Sequence, residues 1–287
     1  MRKILLMLAA VLFLSNVSVA ALTTYELVGS VDNANHEAVV SAVKKALSGE
    51  FKIITSYNPG NLKDLTVLVV EDKTYFDAIA KAGRYAYFAA PLRVGIQKNN
   101  VMFVNPVYVV DAFAKGKSKL ESIAEKTKSK LEIALLKVAG IKAEKKDFGY
   151  STDPDEIGNW QMMGQSIYTI YEVGHKYGSV DKALAVLNDA LSAKKNGWSK
   201  VYQIKIGDAA VVGVSNAKYE KEAFEIGGYD HLCAFPIELV VYDDGKIKAL
   251  PEMYRMSLYF MDAGMAAFSA HMAMPGEIDE SLKSLLK

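Results

Sequence analysis

Pro236-Ile237-Glu238-Leu239-Val240-Val241-Tyr242-Asp243-Asp244-Gly245-Lys246-Ile247-Lys248-Ala249 is the stretch that decides the fold. Two apolar runs flank an Asp-Asp-Gly turn, which is the pattern of a β-hairpin. About 145 residues earlier, Pro91-Leu92-Arg93-Val94-Gly95-Ile96-Gln97 and Val101-Met102-Phe103-Val104 flank Lys98-Asn99-Asn100 in the same way. Pro106 follows the first hairpin as Pro251 follows the second. Gly83-Arg84-Tyr85 precedes one and Gly228-Tyr229-Asp230 the other, and Tyr25-Glu26-Leu27 reads like Tyr171-Glu172-Val173. A period this long excludes a solenoid, whose repeats run roughly 20–50 residues.

Working outward, each hairpin carries the same neighbours. In the first half, strands are expected at 24–30, 52–57 and 65–70, and helices at 36–47 and 73–82, the second ended by Gly83. In the second half, strands are expected at 166–171, 201–206 and 209–214, and helices at 180–191 and 217–226. Hairpin-joined strands with interspersed helices imply an antiparallel α+β architecture rather than a doubly wound parallel sheet. The expected organisation is two tandem copies of a small antiparallel-sheet-plus-helices domain, at 21–140 and 161–287, paired within the chain as a pseudo-dimer. The polar, turn-rich segment 141–160 reads as the linker. A helix over 117–138 is rich in Lys, and its apolar stripe is expected to pack on the sheet rather than on a membrane.

The first twenty residues read as a secretory signal peptide. Arg2 and Lys3 open it, an apolar run spans 4–14, and Ser18-Val19-Ala20 supplies small residues for cleavage. The expected location is periplasmic or secreted, with no stable membrane span after cleavage. Cleavage leaves 32 basic against 33 acidic residues. Such balance gives no electrostatic reason to expect nucleic acid. Cys233 is the single cysteine, so no internal disulfide forms and burial is its default.

The second hairpin, from Pro236 through Lys246-Ile247 to Pro251, resembles the signature hairpin of the bacterial domain-of-unknown-function 302 family. The first hairpin, from Pro91 to Pro106, is a degraded version of it. The resemblance implies a compact α+β domain that tends to pair, and it implies no reaction. That family's cysteine follows the proline, where this chain has Ile237 and Leu92. Cys233 precedes Pro236, so no role is carried over to it.

Three constellations are candidates for function. His231 and Cys233, expected on one face of a strand, form a soft ligand pair. Six of eleven methionines fall within 22 residues, from Met253 to Met274, with His271 among them. Thioethers bind Cu(I), and a His-Met pair ligates haem iron. His231, Cys233, Met265, His271 and Met272 are therefore the candidate metal set, for copper or non-covalent haem. Tyr85, Tyr229 and Phe235 are candidates to line an apolar cleft between the halves. No nucleophile elbow, H-E-x-x-H pair or phosphate loop occurs, and no catalytic residue is assigned. The leading reading is an exported binding or accessory protein of the cell envelope, with a small ligand or an envelope protein as partner. A metal or haem protein is the second reading, and an enzyme of unknown class the third.

Overall fold

The structure is a computed structural model that describes residues 21–32, 34–114, 116 and 118–287. Residues 1–20, read above as a signal peptide, lie outside the described residues. The first half runs β1 (Leu22–Val31), α1 (His36–Leu47), β2 (Lys52–Tyr57), β3 (Leu65–Glu71), α2 (Lys73–Ala82), a 3-10 turn (Arg84–Ala89), β4 (Leu92–Gln97), β5 (Asn100–Val104), α3 (Pro106–Ala114), α4 (Ser118–Leu135) and β6 (Ile141–Thr152). The second runs α5 (Pro154–Ile157), β7 (Tyr171–Glu172), α6 (Val180–Ser192), β8 (Ser199–Ile206), β9 (Ala209–Ser215) and α7 (Ala217–Gly227). A 3-10 turn (Tyr229–Ala234), β10 (Ile237–Val241), β11 (Ile247–Ala249), α8 (Glu252–Tyr259), α9 (Gly264–Ser269) and α10 (Met274–Lys283) complete it.

Local chemistry explains most boundaries. In α1, Val39, Val43 and Leu47 recur every fourth residue and are buried, while Asn35 accepts a capping bond from the Ala38 amide. Asp72 caps α2 and Ser179 caps α6 in the same way. Gly83 and Gly228 end α2 and α7 at φ 63° and 78°, a region that favours glycine. β3 is apolar from Val67 to Val70 because both its faces are covered.

The chain is α+β, with two antiparallel sheets. Their orders are β2-β3-β4-β5-β1-β6 and β7-β11-β10-β9-β8. Read from β8, the second sheet has the connectivity of the first five strands of the other. The two sheets share one hydrophobic core. Each half sets its 3-10 turn against the other's hairpin: residues Tyr229–Ala234 lie on β3 and β4, and Arg84–Ala89 on β10. The fit on β4 is close, since a Cβ at Gly95 would stand 2.4 Å from Cys233 Sγ.

Three expectations are corrected. Residues 141–152 of the expected linker are β6, which pairs with β1 along most of its length. Its polar composition reads as loop because it is an edge strand with much of its surface in water. The strand expected at 166–171 is a capped 3-10 turn (Ile167–Thr169) followed by the two-residue β7. Ser166 accepts from the Tyr168 amide and Thr169 Oγ1 from the Ser166 amide, and these local bonds displace sheet pairing. His231 and Cys233 lie on a 3-10 turn, not a strand. The apolar stripe of α4 packs inward, with Leu120, Ala124, Leu131 and Leu135 buried. Lys128 of α4 reaches the buried Glu26 of β1 at 2.5 Å, and Lys130 reaches Asp72 at 2.7 Å. No described helix is long and apolar enough to cross a membrane.

Candidate functional site

The seam between the halves is built around buried charges. Arg93 of β4 and Glu238 of β10 occupy corresponding places in the two hairpins and meet at 3.6 Å. Arg93 donates to the Ala234 carbonyl at 3.1 Å and to Tyr259 Oη at 2.7 Å. Arg255 of α8 donates to the same carbonyl at 2.6 Å and grips Glu252 through two bonds of 2.7 and 2.8 Å. Burial pushes the Glu238 carboxyl up, and Arg93 and Arg255 pull it back. Glu220 of α7 adds a further tie across the seam by accepting from the Gly60 amide at 2.5 Å. These groups are engaged with one another and brace the two halves.

The candidate metal residues have separate surroundings. His231 Nε2 lies 2.9 Å from Asp262 Oδ1, and its ring stacks on Phe260 at 5.0 Å. Cys233 is fully buried against Gly95 of the other half, and burial pushes its thiol up to about 12. On a 3-10 turn, side chains two apart diverge, which is why the two part company. His271 sits 3.3 Å from Glu222 of α7. Met265 and Met272 are exposed. Among the described residues, no three His, Cys, Asp or Glu side chains gather as a metal site.

The candidate aromatics do not share a cleft either. Tyr85 meets Tyr168 edge-on at 5.6 Å. Tyr229 packs against Phe224 at 5.4 Å, and Phe235 is buried under the Arg255 guanidinium at 4.9 Å. A cleft of about 780 Å³ does lie between the halves, lined instead by Arg84, Tyr87, Asp208 and Tyr242. There Tyr87 donates to Asp208 at 2.7 Å.

A different hollow gathers the methionines. Met253, Met256, Met261 and Met265, four of the six in the C-terminal run, line a pocket of about 360 Å³. Met162 and Met163 complete the wall, with Phe260 and Phe268. The hollow exists because α8 stops at Tyr259 and the chain bends through a 3-10 turn (Met261–Ala263) before α9. Gly264 makes that bend at φ 77°. Opposite, Met162 and Gln165 exchange two backbone bonds of 2.9 Å. Between them Met163 and Gly164 have φ 50° and 78°, the positive pair of a type I′ turn. Ser257 is the one polar side chain in the wall. Its hydroxyl donates to the Tyr254 carbonyl and accepts from Trp160 Nε1 at 2.9 Å.

The Met253–Met274 cluster flagged this pocket in the sequence. Met162 and Met163 gave no such signal, because they stand as an isolated pair at the start of the second half, far along the chain from the cluster. His231, His271, Cys233 and Met272 do not line it. Comparison of the chain with protein-family models, curated proteins and solved structures finds no match to any of them.

Proposed function

We propose that this is an exported binding protein of the cell envelope whose methionine-lined pocket takes an apolar ligand. One observation carries the reading. The wall consists of thioethers, two phenylalanine rings and a glycine, and its single hydroxyl is already engaged at both ends. Such a wall rewards apolar surface and offers no side-chain hydrogen bond, and flexible thioethers adapt to ligands of varied shape. The N-terminal charge, apolar run and small residues support export. The matching strand orders, the repeated prolines and the resemblance to the domain-of-unknown-function 302 family support two diverged copies held as a pseudo-dimer.

The test is fluorescence titration of mature protein with Nile red, an uncharged apolar dye. Saturable binding with a blue shift is expected. Met265→Glu is expected to weaken it at least about tenfold, because a carboxylate in that wall has no partner. Equal binding by the variant sinks the reading.

A second reading is favoured by the same six sulphurs, since thioethers are soft ligands for Cu(I). Met261→Leu with Met265→Leu separates the two. Leucine keeps the apolar wall and removes two thioethers. Under the copper reading this variant loses Cu(I) in competition with a chromogenic chelator and keeps Nile red. Under the apolar-ligand reading, Cu(I) uptake is weak and unchanged by the substitution.

A further inference from the structure

Among the described residues, the sulphurs range from buried Cys233, Met102, Met256 and Met274, through half-buried Met162, Met253 and Met261, to exposed Met163, Met265 and Met272. Cys233 is fully buried, and burial holds its thiol protonated at neutral pH, so it is a poor target for oxidants. Met102 and Met256 are 1% and 3% exposed. Met163 and Met265, which line the same pocket, are 71% and 68% exposed. Met163 has little freedom to withdraw. It occupies the first central position of a type I′ turn closed by two backbone bonds, at φ 50°. Asn, Asp or Gly suits that position better, so neither turn chemistry nor core packing accounts for a methionine there. What the position achieves is to hold a thioether in solvent at the pocket.

We infer that Met163 and Met265 are oxidation sites through which a peroxide empties the pocket. The inference rests on the apolar-ligand reading. The thioether sulphur attacks one oxygen of hydrogen peroxide. An S–O bond forms, the O–O bond breaks, and the sulphur gives up two electrons. The other oxygen leaves as water after proton transfer, and the product is methionine sulfoxide. A sulfoxide oxygen needs a hydrogen-bond donor when a ligand covers it. The pocket wall has only the Ser257 hydroxyl, which already donates to Tyr254. An apolar ligand seated on two sulfoxides therefore binds about tenfold or more weakly. The buried Met256 at the back of the wall keeps its thioether, so the pocket keeps its shape and loses its apolar mouth.

The experiment treats mature protein with graded hydrogen peroxide, then measures Nile red affinity and maps sulfoxides by peptide mass spectrometry. Met163 and Met265 are expected to oxidise ahead of Met102 and Met256, with affinity falling in step. The Met163→Leu/Met265→Leu protein, whatever affinity it starts from, is expected to keep that affinity through the same treatment. The inference is overturned if the parent keeps its affinity with both residues oxidised. Equal loss in the double leucine protein overturns it as well. Failure of untreated parent to bind Nile red is a separate result, which removes the apolar-ligand reading and this inference with it.

Discussion

The seam and the methionine pocket lie on different sides of one short helix, and they treat polarity in opposite ways. α8 sends Arg255 into the seam and Met256 into the pocket. At the seam, Arg93, Glu238, Arg255 and Glu252 are nearly inaccessible to water and answer one another. At the pocket, large apolar side chains remain exposed and no charge lines the wall. A buried charge network is expensive to break and specifies how two surfaces meet. An open apolar hollow is cheap to alter and is available to something else. The contrast suits an architectural role for the first region and supports the binding proposed for the second.

The comparison breaks most readily at Arg93. Arg93→Met leaves Glu238 buried without its nearest cation, and a loss of about 3–5 kcal/mol is expected in urea unfolding. Adding Glu238→Gln should recover part of it, because the two effects are coupled. Additive losses would show that the pair is not the seam's organising contact.

A smaller effect is expected at the joint between the regions. Asp279 of α10 accepts from the Glu252 amide at 2.9 Å and so holds the start of α8. Burial raises its carboxyl from 3.8 to about 6, with Glu252 adding to the rise. A carboxyl raised by folding binds its proton more tightly in the native state. Its contribution is therefore fullest in acid, below its unfolded value. Stability falls as pH climbs from about 4 to about 6 and is level above that. The expected swing is about 2 kcal/mol, and Asp279→Asn should flatten it without moving α8. An unchanged pH profile in that variant would assign the swing to another group.

The smallest effect sharpens the contrast. Met163→Asn suits the positive-φ turn and should stabilise the fold by about 0.5–1 kcal/mol in thermal unfolding, while weakening Nile red binding. A residue that costs stability and serves binding is the opposite of Arg93. If the variant gains stability and loses no affinity, Met163 is not part of the binding surface.

Much of this molecule is legible along the chain. The spacing of Val39, Val43 and Leu47, the caps Asp72 and Ser179, the stop at Gly83 and the two hairpins all act within a turn or a few residues, so the sequence determines them locally. The same holds for the methionine cluster from Met253 to Met274. Tertiary structure decided the rest, because its causes lie far apart in the chain. β6 is a strand only because β1 offers its backbone groups, not because its own residues alternate. Arg93 sits in an apolar run where nothing nearby explains it, and its partners are Glu238, Tyr259 and the Ala234 carbonyl of the other half. His231 and Cys233 diverge because their segment, pressed onto the opposite sheet, tightens into a 3-10 turn. Met162 and Met163 join the pocket because a turn far upstream in the chain folds back over α8. Periodicity and capping are local free energies written in neighbouring residues, whereas edge pairing, buried charge and pocket walls depend on which distant surfaces the core brings together.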